Sequence, residues 1–202
     1  MREQIKRSIS ITIVIAALVV IIIAKVENPS NLEDWAGCIS YGITAASFFY
    51  VLYDLCLWRL DFINGIPRLG KYYIGDIISS HTDENGNNVK KPIKIRIKQT
   101  YLSVAVSAET NTTKSLTVLG AIKKEEGENL LYYIYRTMPS VAELEKNPIQ
   151  YGTTRIIIDE GETLKGEYWT RQKTAGVIKI HRCSKEAWNK YLANDDNSDW
   201  IF

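Results

Sequence analysis

Two long uncharged runs within the first sixty residues restrict this chain to very few architectures. Ser8 to Ala24 carries no charge, and Trp35 to Tyr53 carries none before a lone Asp54 and the apolar Leu55-Cys56-Leu57-Trp58. A bilayer core takes about 20 helical residues, so both runs are long enough to span it. In hydrocarbon the backbone must satisfy its own hydrogen bonds, and this requirement overrides the strand preference of the β-branched residues in the first run. Arg2, Lys6 and Arg7 before an apolar stretch also outline a secretory signal. Such a signal has an apolar region of only about 7 to 15 residues and ends in a small-residue cleavage site. Lys25-Val26-Glu27-Asn28-Pro29 follows here instead, and residues 1–60 read as a two-helix transmembrane hairpin.

Basic residues stay on the cytoplasmic side of a membrane. Arg2, Lys6 and Arg7 precede the first run and Arg59, Arg68 and Lys71 follow the second, whereas the connection holds Glu27, Glu33 and Asp34 against Lys25. This arrangement predicts a multi-pass protein with both termini in the cytoplasm and a short loop outside. Trp35 and Trp58 stand at the two ends of the second helix, where interfacial aromatics belong. Gly37, Ser40, Thr44 and Ser47 would allow close helix contact. Asp54 is the one acid at membrane depth; it either has a role there or lies one turn from the interface, beside Arg59, and reaches water.

About 140 residues remain, enough for one domain with its own core. Residues 61–70, with Asn64-Gly65 and Pro67, read as a linker, 71–193 as a β-rich domain and 194–202 as an acidic tail. Period-two or aromatic and branched patterns mark strands at 71–79, 93–98, 101–109, 114–124, 129–137, 151–159, 164–171 and 176–182. Gly120 in mid-strand suggests a bulge or tight bend. Ser140 followed by Glu143 suggests a capped short helix in 139–148, and 184–192 a second helix with Trp188, Tyr191 and Leu192 on one face. Eight short strands with few helices argue for an antiparallel sheet that closes or folds into a sandwich, and up-and-down order with short turns favours an eight-stranded minimal β-barrel, lipocalin-like, which has no open edge.

Within residues 63–182 there are 18 Lys and Arg against 13 Asp and Glu, compatible with an anionic ligand or an anionic leaflet and too small a surplus for a duplex DNA binder. Cys38, Cys56 and Cys183 form no disulfide framework, and His81 and His181 lack the spacing of a metal site. No nucleophile elbow or phosphate loop is present, and acidic pairs such as Glu125-Glu126 sit at turns. No catalytic residue, cofactor or metal is expected. An aromatic and basic set does stand out in two strands: Tyr133, Tyr135 and Arg136 in one, Tyr168, Thr170 and Arg171 in the other. Rings stack on bases and guanidinium groups fork onto phosphates, which makes this set a candidate nucleotide site; strands also favour aromatics for packing alone. In the second of these strands Leu164, Gly166, Tyr168 and Thr170 share the face that reads as lumenal.

The paired anchor followed by Leu69-Gly70-Lys71-Tyr72-Tyr73-Ile74-Gly75, the Leu131-Tyr132-Tyr133-Ile134-Tyr135 strand, and Leu164-Lys165-Gly166-Glu167-Tyr168-Trp169-Thr170-Arg171 resemble the two-transmembrane, β-strand-rich effectors of CBASS anti-phage systems, which are associated with CD-NTases. The resemblance implies a bacterial inner-membrane protein whose cytoplasmic barrel binds a cyclic oligonucleotide, expected to be a cyclic dinucleotide, made by a cognate CD-NTase. It further implies self-association through the membrane helices, disruption of the lipid bilayer and cell death. Two other readings stay open: a membrane-tethered, lipocalin-like carrier of a small molecule or lipid, and a structural membrane protein whose filled barrel docks a partner.

Overall fold

The computed structural model describes residues 2–60, 65–82, 85–140, 144–145, 148–159 and 162–192. The chain divides into two compact units, Met1–Gly65 with Thr100–Leu102, and Ile66–Gln99 with Ser103–Phe202.

The first unit is a helical pair, α1 (Arg2–Glu27) and α2 (Leu32–Leu55), followed by a 3₁₀ turn at Leu57–Arg59. The stretches Gln4–Glu27 and Leu32–Leu55 are both long and apolar enough to cross a bilayer. The start of α2 is held from both directions. Asn31 Oδ1 accepts the Asp34 N–H at 2.9 Å, and the Asp34 carboxylate accepts the Ser30 N–H at 3.1 Å, so otherwise orphaned donors are satisfied. Cys38, Gly42 and Ala46 recur every four residues as the buried stripe of α2. At Gly42 the absence of a side chain lets Val20 and the Ala16 carbonyl of α1 come close, as small residues do in helix pairs. Ser40, Thr44 and Ser47 lie off this stripe, exposed, each hydroxyl donating to the carbonyl four residues earlier at 2.8 to 2.9 Å. Asp54 has protein partners: its carboxylate accepts the Leu102 N–H at 2.9 Å and its carbonyl the Tyr101 N–H at 3.0 Å.

The second unit is a closed antiparallel barrel of eight strands in chain order. These are β1 (Tyr72–Thr82), β2 (Asn88–Gln99), β3 (Val104–Glu109), β4 (Thr113–Glu125), β5 (Glu128–Pro139), β6 (Tyr151–Asp159), β7 (Thr163–Thr170) and β8 (Ala175–Arg182). β8 returns to pair with β1, so no strand is left as a sheet edge. Three details differ from the sequence reading. β2 begins five residues earlier, at Asn88 rather than Ile93, and carries Pro92 where it pairs only with β1. β3 begins at Val104 rather than Tyr101.

The third difference is the irregularity in β4, which sits at Val118 and not at Gly120: the register with β5 slips between Thr117 and Leu119. One extra residue reverses the facing of everything beyond it. Ser115 before the bulge therefore faces inward with Gly120 and Ile122 after it, and Leu116, Val118 and Leu119 are exposed. At this point the Thr117 hydroxyl stands in for the ladder, accepting the Val106 N–H and donating to the Val106 carbonyl, both at 2.8 Å. Gly120 answers a different need, the close approach of the Val104 carbonyl.

The barrel unit starts inside the stretch that reads as a linker. The Gln99 side chain accepts the Leu69 N–H at 3.0 Å and donates to the Pro67 carbonyl at 2.9 Å, and Leu69 is part of the core. After β8, Ser184 caps α3 (Lys185–Lys190) through the Ala187 N–H. Trp188 Nε1 donates to the Ile95 carbonyl and the Tyr191 hydroxyl to the Gly75 carbonyl, each at 3.0 Å, fixing this helix beside β1 and β2. In the segment expected to form the other helix, β5 runs on to Pro139 and Glu143 lies outside the described residues, as do 194–202.

Candidate functional site

Alternation along a strand decides which residues face the lumen; their chemistry then changes along the barrel axis. At the end where β1 begins, Tyr73, Ile95, Ile97, Val106, Leu131, Ile156, Leu164 and Ile180 fill the interior as one apolar cluster. Toward the other end the same faces present Ser79 and His81 on β1, Lys91 on β2, Thr137 on β5, Thr154 on β6 and Thr170 on β7. These residues line a cavity of about 590 Å³. Small-molecule sites span roughly 300 to 1,000 Å³. The barrel is packed over one half and hollow over the other.

Tyr133, Tyr135 and Tyr168 form the waist between the halves, buried in the core cluster yet facing the cavity. The rings of Tyr133 and Tyr135 lie 5.9 Å apart at 49°. Glycines on neighbouring strands seat two of these rings. Tyr135 stands opposite Gly152 and Tyr168 opposite Gly176. A β-carbon on Gly176 would lie 2.6 Å from Tyr168 Cε1, and one on Gly152 would strike the end of the Tyr135 ring. The rings lean against bare backbone, an arrangement that leaves the lumen open.

Burial pushes the Tyr133 phenol up to about 12, with the nearby Thr154 hydroxyl pulling weakly the other way. Burial raises Tyr135 as well, with the neighbouring phenols of Tyr133 and Tyr168 adding to the shift. Tyr133 and Tyr135 are therefore neutral at physiological pH and offer O–H donors and flat apolar faces. Thr154 Oγ1 and Thr170 Oγ1, on residues that line the cavity, are both buried without a protein partner, leaving two hydroxyls with bonding capacity unused. No carboxylate lines the cavity among the described residues, whereas Lys91 and His81 do. The chemistry suits a flat, oxygen-rich anionic guest: rings for stacking, hydroxyls and amides for hydrogen bonds, and an ammonium group for charge. Among the described residues, no group of three or more His, Cys, Asp and Glu side chains is placed to hold a metal ion.

Of the six candidate residues, the structure brings together Tyr133, Tyr135, Tyr168 and Thr170 around this cavity. Arg136 and Arg171 are not among its lining: Arg136 follows an inward residue and takes the outer face, where it donates to Met138 Sδ at 3.9 Å, and Arg171 is exposed in the turn after β7. Lys91, His81, Thr154, Gly152 and Gly176 are the site features that sequence reasoning missed. Lys91 was within reach, since it continues the inward phase of Ile93, Ile95 and Ile97; Pro92 hid the continuation of the strand.

Comparison with known proteins agrees with this anatomy. The profile of the family described as Cap15, cyclic dinucleotide receptor domain, matches residues 66–182, which begins where the barrel unit begins. The CD-NTase-associated protein 15 of Staphylococcus schleiferi is 32% identical over 148 residues, covering 73% of this chain and 80% of that protein.

Proposed function

The chain belongs to the Cap15 family of cyclic dinucleotide receptor domains, and from that premise we propose that it is a CBASS anti-phage effector whose barrel takes up a cyclic dinucleotide made by a cognate CD-NTase. The observation that carries this reading is the hollow half of the barrel. Its 590 Å³ are walled by neutral tyrosine rings and hydroxyls, with Lys91 and no described carboxylate. A lipid carrier would need an apolar lumen, whereas here Ile77, Ile93 and Ile178 share the wall with hydroxyls, amides and Lys91.

On this reading the protein sits in the inner membrane with both termini and the barrel in the cytoplasm; the two long apolar helices and the basic residues flanking them support it. The exposed hydroxyl face of α2, Ser40, Thr44 and Ser47, is the surface for self-association within the bilayer, and assembly there breaches the membrane. A ligand drives such assembly only by binding the assembled state more tightly than the separate chains.

Calorimetric titration of the full chain in lipid nanodiscs against every 3′,3′-cyclic dinucleotide of adenine, guanine, uracil and cytosine tests the receptor half of the proposal. Saturable binding of at least one member supports it, and ligand-dependent loss of membrane potential in cells supports the effector half. Heat-silent titrations throughout, or purified protein that retains lipid in the lumen, would overturn the receptor reading.

A further inference from the structure

A cyclic dinucleotide carries two phosphodiester anions on opposite sides of one ring, and the walls of this lumen are not equivalent. β1 and β2 bring the basic side chains, His81 and Lys91. Directly across the ring of strands, β5 and β6 bring only neutral groups, Thr137 and the unpartnered Thr154 hydroxyl, and β7 brings a second unpartnered hydroxyl, that of Thr170. Lys91 is the one Lys or Arg among the described lining residues.

Its phase on β2 is unusual for a strand lysine. Lys90 and Lys94 point outward and find carboxylates, Asp76 at 3.1 Å and Glu109 at 3.4 Å. Lys91 shares the inward face with Ile93, Ile95 and Ile97, stands opposite Ile77, and meets no carboxylate among the described residues. A cation aimed into a cavity without an internal counter-ion is an anion site awaiting its guest.

We propose that Lys91 is the phosphate-reading position of the pocket and that the ligand is gripped asymmetrically. One phosphodiester is ion-paired to Lys91, and the other is held across the lumen by neutral hydroxyls, Thr170 foremost. This rests on the pocket being the nucleotide site proposed above. It deepens that reading by making the two phosphates of a chemically symmetric ligand inequivalent when bound, with a single ion pair at stake.

The test titrates the full chain in nanodiscs with the tightest-binding member of the cyclic dinucleotide panel at low and high salt. Wild type, Lys91→Gln, Lys91→Arg and Lys90→Gln are compared, with melting by near-ultraviolet circular dichroism as the check on folding. Lys91→Gln is expected to weaken binding about tenfold and to remove most of its salt dependence, the loss of one charged hydrogen bond near the solvent-facing rim. Lys91→Arg restores most of the affinity, Lys90→Gln matches wild type, and all four melt alike. Wild-type affinity and salt dependence in Lys91→Gln would overturn the proposal, as would an equal loss in Lys90→Gln, which would mean a diffuse surface field. A wild-type chain that binds no member of the panel sinks the receptor reading itself, a separate result from binding that ignores Lys91.

Discussion

Gly152→Ala is the sharpest test of how the lumen is kept open. The backbone at Gly152 is ordinary strand with φ outside the left-handed region, so alanine fits the local conformation. On that ground alone the change would stabilise the protein by about 0.4 to 1 kcal/mol, through a less flexible unfolded chain. The opposing effect is steric. The new methyl would strike Tyr135 Cζ and Oη and sit 2.8 Å from the Trp169 carbonyl oxygen, and the buried ring has little room to yield except toward the cavity. Overpacking of this kind costs about 1 to 3 kcal/mol, so the net expectation is a loss of about 1 to 2 kcal/mol together with weaker ligand binding. Urea unfolding of the full chain in micelles, followed by the near-ultraviolet tyrosine signal, measures it in three backgrounds. Tyr135→Phe keeps Cζ, so the penalty persists. Tyr135→Leu removes the end of the ring, and the penalty falls by half or more, leaving the contact with the Trp169 carbonyl. A neutral or stabilising Gly152→Ala, or an equal penalty in all three backgrounds, would refute the idea that glycine seats the ring.

Other expectations follow from single groups. Thr170→Val keeps shape while removing a buried hydroxyl that has no protein partner, so stability holds or rises while ligand affinity drops by roughly 0.5 to 1.5 kcal/mol; parallel melting and calorimetry would show the split. Tyr133 keeps its proton up to about 12 in the fold but loses it near pH 10 when unfolded. Its contribution to stability is therefore intact below pH 10 and is lost by about 2 to 3 kcal/mol as pH rises through 12, a slope that Tyr133→Phe should remove from alkaline denaturation curves. Arg136→Ala and Arg171→Ala should leave calorimetric affinity within about twofold of wild type, since both lie outside the cavity lining and exposed charges contribute little.

Strand number and order were legible because period-two alternation is local: each of the eight strands leaves its own mark, and closure follows from short turns. What a straight alternation misses is anything that resets its phase. Val118 does so in β4, with no composition signal to betray it, because an extra valine in a run of Thr, Val and Leu looks like more strand. The position of Arg136 and Arg171 outside the cavity lining has a simpler cause. Sequence proximity to Tyr135 and Thr170 suggested a shared site, but Arg136 follows an inward tyrosine and so faces out, and Arg171 lies in the turn beyond the end of β7. Lys91 was hidden for the reverse reason, its partners on the same face being two and four residues away across a proline.

The division of labour within the barrel follows from a gradient that alternation cannot register. Along five of the eight inward faces bulk gives way to polarity in the same axial direction: Tyr73 to Ser79 and His81, Ile97 to Lys91, Leu131 through Tyr133 to Thr137, Ile158 to Thr154, Leu164 through Tyr168 to Thr170. The apolar half supplies the burial that holds a small barrel together, and a closed sheet satisfies its own backbone, so the other half is free to stay hollow. Were Thr154 and Thr170 isoleucines, the lumen would narrow and lose two hydroxyls while gaining apolar burial. Retaining these two buried hydroxyls without partners forgoes stabilisation that a filled core would provide. A cavity left empty at that cost, ringed by glycine-seated tyrosines, is accounted for by a guest that completes it.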